Sequence, residues 1–230
     1  MQPRTVRQIQ LYGLLSLAFL LPVLNSLAIF AGGWRPGPAT NGRLIFKTVY
    51  ELVALAALVW MLRTQQKNFK SVGFYAPPKI ADAGHAVLLA LGAYIGVIFT
   101  SGFIQIGYRS MTGHWVPELW DFRPSLFGNA SASLSFLFAL INPFYEELLV
   151  RAFLITQVEE IYSSTKAAAI ASILLQTSYH LYQGLFNAII LSACFSLLTW
   201  YYISKRRILP VILAHMIMDV LAVSHLIHGR

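Results

Sequence analysis

Seven stretches of about 20 mostly apolar residues follow one another along this chain, and an α-helix of that length crosses the bilayer core. They lie near 9–31, 44–63, 83–107, 133–157, 165–182, 184–203 and 208–226. In lipid, every backbone N–H and C=O must be satisfied internally, which leaves helices as the natural solution for such runs. The expected fold is all-α: one integral membrane domain over 1–230, a polytopic bundle of about seven spans. The fifth stretch is the weakest, being short and interrupted by Gln176, Ser178 and His180. The first follows Arg4 and Arg7 as a signal peptide would, but it is too long and no A-x-A site closes it, so an uncleaved helix is expected.

Composition agrees. Apolar residues make up 57% and charged residues 11%, against about 25% charged in a soluble domain. That excludes an ordinary cytosolic domain and a disordered chain. The net charge of +8 reads as orientation, not nucleic-acid binding, because Lys and Arg mark cytoplasmic loops. With the N-terminus inside, the inner connections hold Arg4, Arg7, Arg63, Lys67, Lys70, Lys79, Lys166, Lys205, Arg206 and Arg207; the outer ones hold Arg35, Arg43, Arg109, Arg123 and Arg230. Ten against five favours a cytoplasmic N-terminus and an outer C-terminus. The connection 64–82 reads as a cytoplasmic hairpin, and 108–132 as an outer loop anchored by Trp115 and Trp120. The single cysteine, Cys194, allows no internal disulfide and no cysteine metal cluster.

Ionisable residues inside the spans are costly, at about 2.5–3.5 kcal/mol each even on lenient insertion scales, so each needs a reason. Lys47 and Glu51, four apart on the second span, are expected to neutralise each other locally. The fourth span, Asn142-Pro143-Phe144-Tyr145-Glu146-Glu147-Leu148-Leu149-Val150-Arg151, is different. Glu147 and Arg151 have the spacing and order of a helical ion pair. Glu146 sits about 100° around the helix and needs a partner on another helix. Pro143 cannot donate to the carbonyl of Ala139, so an opened backbone is expected close to the glutamates.

Later spans supply His180, and then His215 and Asp219 on one helical face. Six such residues on three helices are expected to meet around one polar cavity inside the bundle. There Glu146 and His180 could activate a water for attack on a carbonyl, while His215, held by Asp219, stabilises the oxyanion. Glu147 and Arg151 would support the site structurally. Neither a G-x-S-x-G elbow nor an H-E-x-x-H helix is present. Zinc is the alternative, with Glu146, His180, His215 and Asp219 as candidate ligands. The metal-free form is favoured, because the Arg151 cation would oppose a divalent ion.

Glu146-Glu147-xxx-Arg151, then His180, then His215-xxx-Asp219 resembles the three motifs of the CAAX-protease and bacteriocin-processing (Abi) family of intramembrane proteases. The resemblance covers a core over residues 130–222. It implies a glutamate-dependent endopeptidase with Glu146 as the water-activating base, His180 assisting, and His215 and Asp219 at the oxyanion positions. It implies a peptide or membrane-protein substrate, prenylated in the CAAX branch, taken from the bilayer, and it suits a bacterial cytoplasmic membrane. Three positions depart from the family pattern: Gln176 where an aromatic is usual, Ala152 for Gly, and Asp219 for Asn. Two other classes use the same polar cluster: a non-catalytic scaffold or bacteriocin-immunity partner, and a proton or ion transporter. Convergence of Glu146, His180 and His215 on one accessible cavity would favour the protease; a through-pore or a dry cluster would favour the others.

Overall fold

The computed structural model describes residues 3–33, 37–75, 77–116 and 126–228. Trp120, Arg35, Arg123, Arg230 and the His228 side chain lie outside the described residues, and with them part of the expected aromatic anchor of the outer loop. Among the described residues seven helices carry the fold: α1 (Arg4–Gly32), α2 (Asn41–Thr64), α3 (Ile80–Thr112), α4 (Ala132–Tyr162), α5 (Thr165–His180), α6 (Leu185–Lys205) and α7 (Leu209–His228). Among the described residues there is no strand.

Six of the seven are long and apolar enough to cross a membrane. The seventh, α5, has 16 residues, or about 24 Å at the α-helical rise, short of the roughly 30 Å hydrocarbon core. The expected bundle of about seven spans is thus six helices of spanning length and one shorter helix, α5. Even so, α5 runs antiparallel to α4 and parallel to α1. It starts beside the end of α4, and just past its other end the Tyr182 N–H donates to Ser26 Oγ near the far end of α1, at 2.8 Å. It is followed by a tight turn, Leu181–Gln183, and Gly184 at φ 93°.

α4 is the central helix. It packs on α1, α2, α5, α6 and α7, while α3 lies outside against α6 and α7. Over half of its apolar window is buried. Its middle departs from α-geometry: Ala132–Glu146 is α-helical, Glu147–Phe153 is a π-helical segment, and Leu154–Tyr162 returns to α. The opened backbone expected near Pro143 is therefore a π-segment beginning at Glu147. Such segments are often found at functional sites. Pro210 has no similar effect, because it sits in the first turn of α7, where a missing N–H costs nothing.

Pro22 in α1 leaves the carbonyl of Ala18, four residues back, without its helical donor. Two hydroxyls take its place. Tyr50 of α2 donates to it at 2.8 Å, and Tyr145 of α4 donates to the same oxygen. The proline thus pins α1 to α2 and α4 one residue before Glu146.

The polar connections gather at one end of the bundle. Lys67 contacts Glu160 at 2.5 Å, Arg206 holds Glu159 through both terminal nitrogens, and Arg207 holds Asp82 in the same two-pronged way. These carboxylates favour the charged forms of Arg206 and Arg207, raising both above the ordinary arginine value. The strap 65–79 closes onto the α6–α7 turn through Gly73, whose carbonyl accepts from Ile208 N–H at 3.0 Å. Gly73 has φ +79°, and a Cβ there would stand 2.6 Å from the Arg206 carbonyl oxygen, so only glycine fits.

Candidate active site

Between all seven helices lies a cavity of about 600 Å³, lined by Glu146, His180, His215 and Asp219 among others. Glu147 and Arg151 lie behind it with no solvent exposure. Neighbours in sequence, the two glutamates have thus been sent to different surroundings by the change of helix geometry between them.

Glu147 and Arg151 form the expected ion pair. The other Glu147 oxygen, Oε1, meets His215 Nδ1 at 2.8 Å. This corrects one expectation. His215 is oriented chiefly by Glu147; Asp219, one turn along α7, stands 3.6 Å from Nε2. Arg151 also donates through Nη2 to Gln176 Oε1 at 2.6 Å.

Gln176 is the residue that the sequence presented only as a departure from a pattern. Its carboxamide accepts from Arg151 and donates to Glu146 Oε2 at 3.1 Å. The hydroxyl of Tyr179 donates to the same oxygen at 2.8 Å. Gln176, Tyr179 and His180 stand at i, i+3 and i+4, one face of α5. The partner that Glu146 requires on another helix is therefore this pair of donors. Glu146, 7% exposed, holds Oε2 in two hydrogen bonds and lines the cavity. A signal was available: a carboxylate with no partner on its own helix points to polar residues beside the next histidine.

Tyr179 is itself braced, its ring stacked on Phe19 of α1 at 5.2 Å. His180 Nδ1 pairs with the Gln176 carbonyl at 2.8 Å, which points Nε2 away from its own helix. The ring packs against Phe195 at 4.9 Å. Asn142, one turn before Glu146, also lines the cavity and was not singled out from the sequence.

The second span corrects another expectation. Among the described residues no Lys47–Glu51 ion pair closes. The Lys47 ammonium lies over the Phe138 ring, 5.5 Å from its centroid, and both Lys47 and Glu51 line the same cavity as Glu146. As for zinc, among the described residues no three His, Cys, Asp or Glu side chains are grouped to hold a metal. His180 and His215 each have Nδ1 engaged by protein, which leaves Nε2 as the nitrogen available to a ligand.

Residues 128–221 match the family model described as Type II CAAX prenyl endopeptidase Rce1-like. Over that segment the chain is similar to the Rce1-like family. The segment contains the α4 glutamates, the polar face of α5 and the His215–Asp219 pair. No curated protein and no solved structure matches the chain. The match to this family model and the six long apolar helices support a membrane peptidase.

Proposed function

We propose that the protein is an intramembrane endopeptidase that hydrolyses a peptide bond with a water activated by Glu146. The observation that carries the reading is the division of labour between the glutamates. Glu147 is spent on Arg151 and His215, whereas Glu146 lines the cavity together with two histidines from other helices.

In this reading a water held between Glu146 Oε1 and His180 Nε2 gives its proton to Glu146 as it attacks the carbonyl carbon. The C=O pair moves onto oxygen. That oxyanion is stabilised by His215, whose Nδ1–H is fixed by Glu147 and whose protonated Nε2 faces the cavity beside Asp219. Glu146 then delivers its proton to the departing amine as the C–N bond breaks, leaving a new carboxylate and a new amine. Asn142 and Asp219 line the wall next to this position. No step runs through a metal.

The cavity rim includes the exposed apolar residues Leu21, Phe46 and Tyr94, which suits a substrate arriving from lipid and carrying an apolar group. The family name supplies the class to try first: a peptide ending in a prenylated CAAX sequence. The end of the bundle rich in Lys and Arg would face the cytoplasm, with the N-terminus there, in a bacterial membrane. The direct test is incubation of the purified protein in lipid nanodiscs with an internally quenched farnesylated CAAX peptide. Cleavage, with the scissile bond fixed by mass spectrometry, is expected, and it should persist in a zinc chelator. Activity lost to the chelator and restored by zinc would overturn the metal-free mechanism.

A further inference from the structure

Seven buried side-chain polar atoms among the described residues have no hydrogen-bonding partner. Two belong to residues that line the cavity: Glu51 Oε2 on α2 and Gln183 Oε1 in the turn after α5. Both residues are deeply buried, at 5% and 2% exposed. The Gln183 amide oxygen is an acceptor, and the Glu51 carboxyl offers an acceptor oxygen in either protonation state. The carboxamide of Gln183 is fixed by its own donor group, which reaches the Tyr182 hydroxyl at 3.0 Å, so the oxygen is the end left over. Lys47, the nearest cation along α2, is turned to Phe138. Glu51 and Gln183 line the same cavity as Glu146, His215 and Asp219. The α2 wall lies outside the matched segment 128–221.

A cavity whose unpaired polar atoms are acceptors is complementary to a ligand that brings donors. A hydrocarbon or isoprenoid tail brings none. A peptide backbone brings one N–H per residue, and in an extended chain successive N–H groups point to opposite edges. That suits acceptors on two separate walls. We infer that Glu51 and Gln183 accept backbone N–H donors of a peptide lying across the cavity, and thereby set its register over Glu146. Both are substrate-binding residues, and the inference rests on the endopeptidase reading.

The test is a backbone-ester scan. In a series of the same quenched farnesylated peptide, each amide flanking the scissile bond is replaced in turn by an ester, which deletes one N–H; the scissile amide stays intact. The wild-type protein should show two penalised positions, each losing about 10-fold in kcat/KM, as loss of a hydrogen bond to a buried group entails. The other positions should change little. Glu51→Leu should lower cleavage of the all-amide peptide and abolish the ester penalty at one position; Gln183→Leu should do so at the other. Where Glu51→Leu does not fold, Glu51→Met replaces it. Glu51→Gln keeps an acceptor oxygen and should keep its penalty. A flat wild-type scan overturns the inference without any variant, and so do penalties that survive the leucine substitutions. Failure of the wild-type protein to cut the all-amide peptide sinks the endopeptidase reading instead.

Discussion

The guanidinium of Arg151 is divided between Glu147 and Gln176 and is fully enclosed. Removing one member of such a buried pair leaves the other charge stranded, at a cost of about 3–5 kcal/mol. Glu147→Gln and Arg151→Ala are therefore expected to melt well below the wild type in detergent; an unchanged melting temperature in either would contradict the pairing. Glu147→Gln also loosens His215, so its residual activity should fall further than its stability alone explains. Gln176→Leu breaks the bridge between Arg151 and Glu146. It should cost about 1–3 kcal/mol, because donors and acceptors on both sides lose a partner. A Gln176→Leu protein with wild-type stability and turnover would show the bridge to be incidental.

At the scale of elements, much was legible because periodicity and length are local properties. The six long helices and the proline near the glutamates could be read directly. The length of α5 was harder, because the stretch 165–182 runs past the helix, which ends at His180, into the turn Leu181–Gln183. What stayed hidden depends on which atoms meet across helices. Lys47 and Glu51 have the spacing of an ion pair, yet α4 places Phe138 beside Lys47 and the cavity beside Glu51. His215 and Asp219 have the same spacing, yet α4 brings Glu147 nearer to the ring. Spacing along one helix identifies possible pairs, and the neighbouring helix decides among them. The strap 65–79 is likewise set by an approach that sequence does not reveal. Gly73→Ala would force a Cβ against the Arg206 carbonyl at positive φ. A loss of about 1–3 kcal/mol is expected, read as a lower melting temperature; no change would show that the strap can move aside.

For the whole molecule, the helices alternate in direction. The contacts Lys67–Glu160, Arg206–Glu159 and Arg207–Asp82 draw three connections to one end. If that end faces the cytoplasm, Ser71→Cys in a chain whose Cys194 is replaced by Ala should resist a membrane-impermeant thiol reagent added to intact cells. It should react once the cells are opened; labelling from outside would reverse the orientation. The same alternation brings α1, α2 and the matched segment around one cavity, so the catalytic groups and the walls that would receive a substrate come from different parts of the chain. The central claim is that Glu146 activates the water. Glu146→Gln keeps the size of the side chain and an oxygen to accept from Gln176 and Tyr179, but removes the base. Measured on the quenched farnesylated peptide, in protein that melts like the wild type, cleavage should fall at least about 1000-fold. Cleavage within a few-fold of wild type would contradict the account.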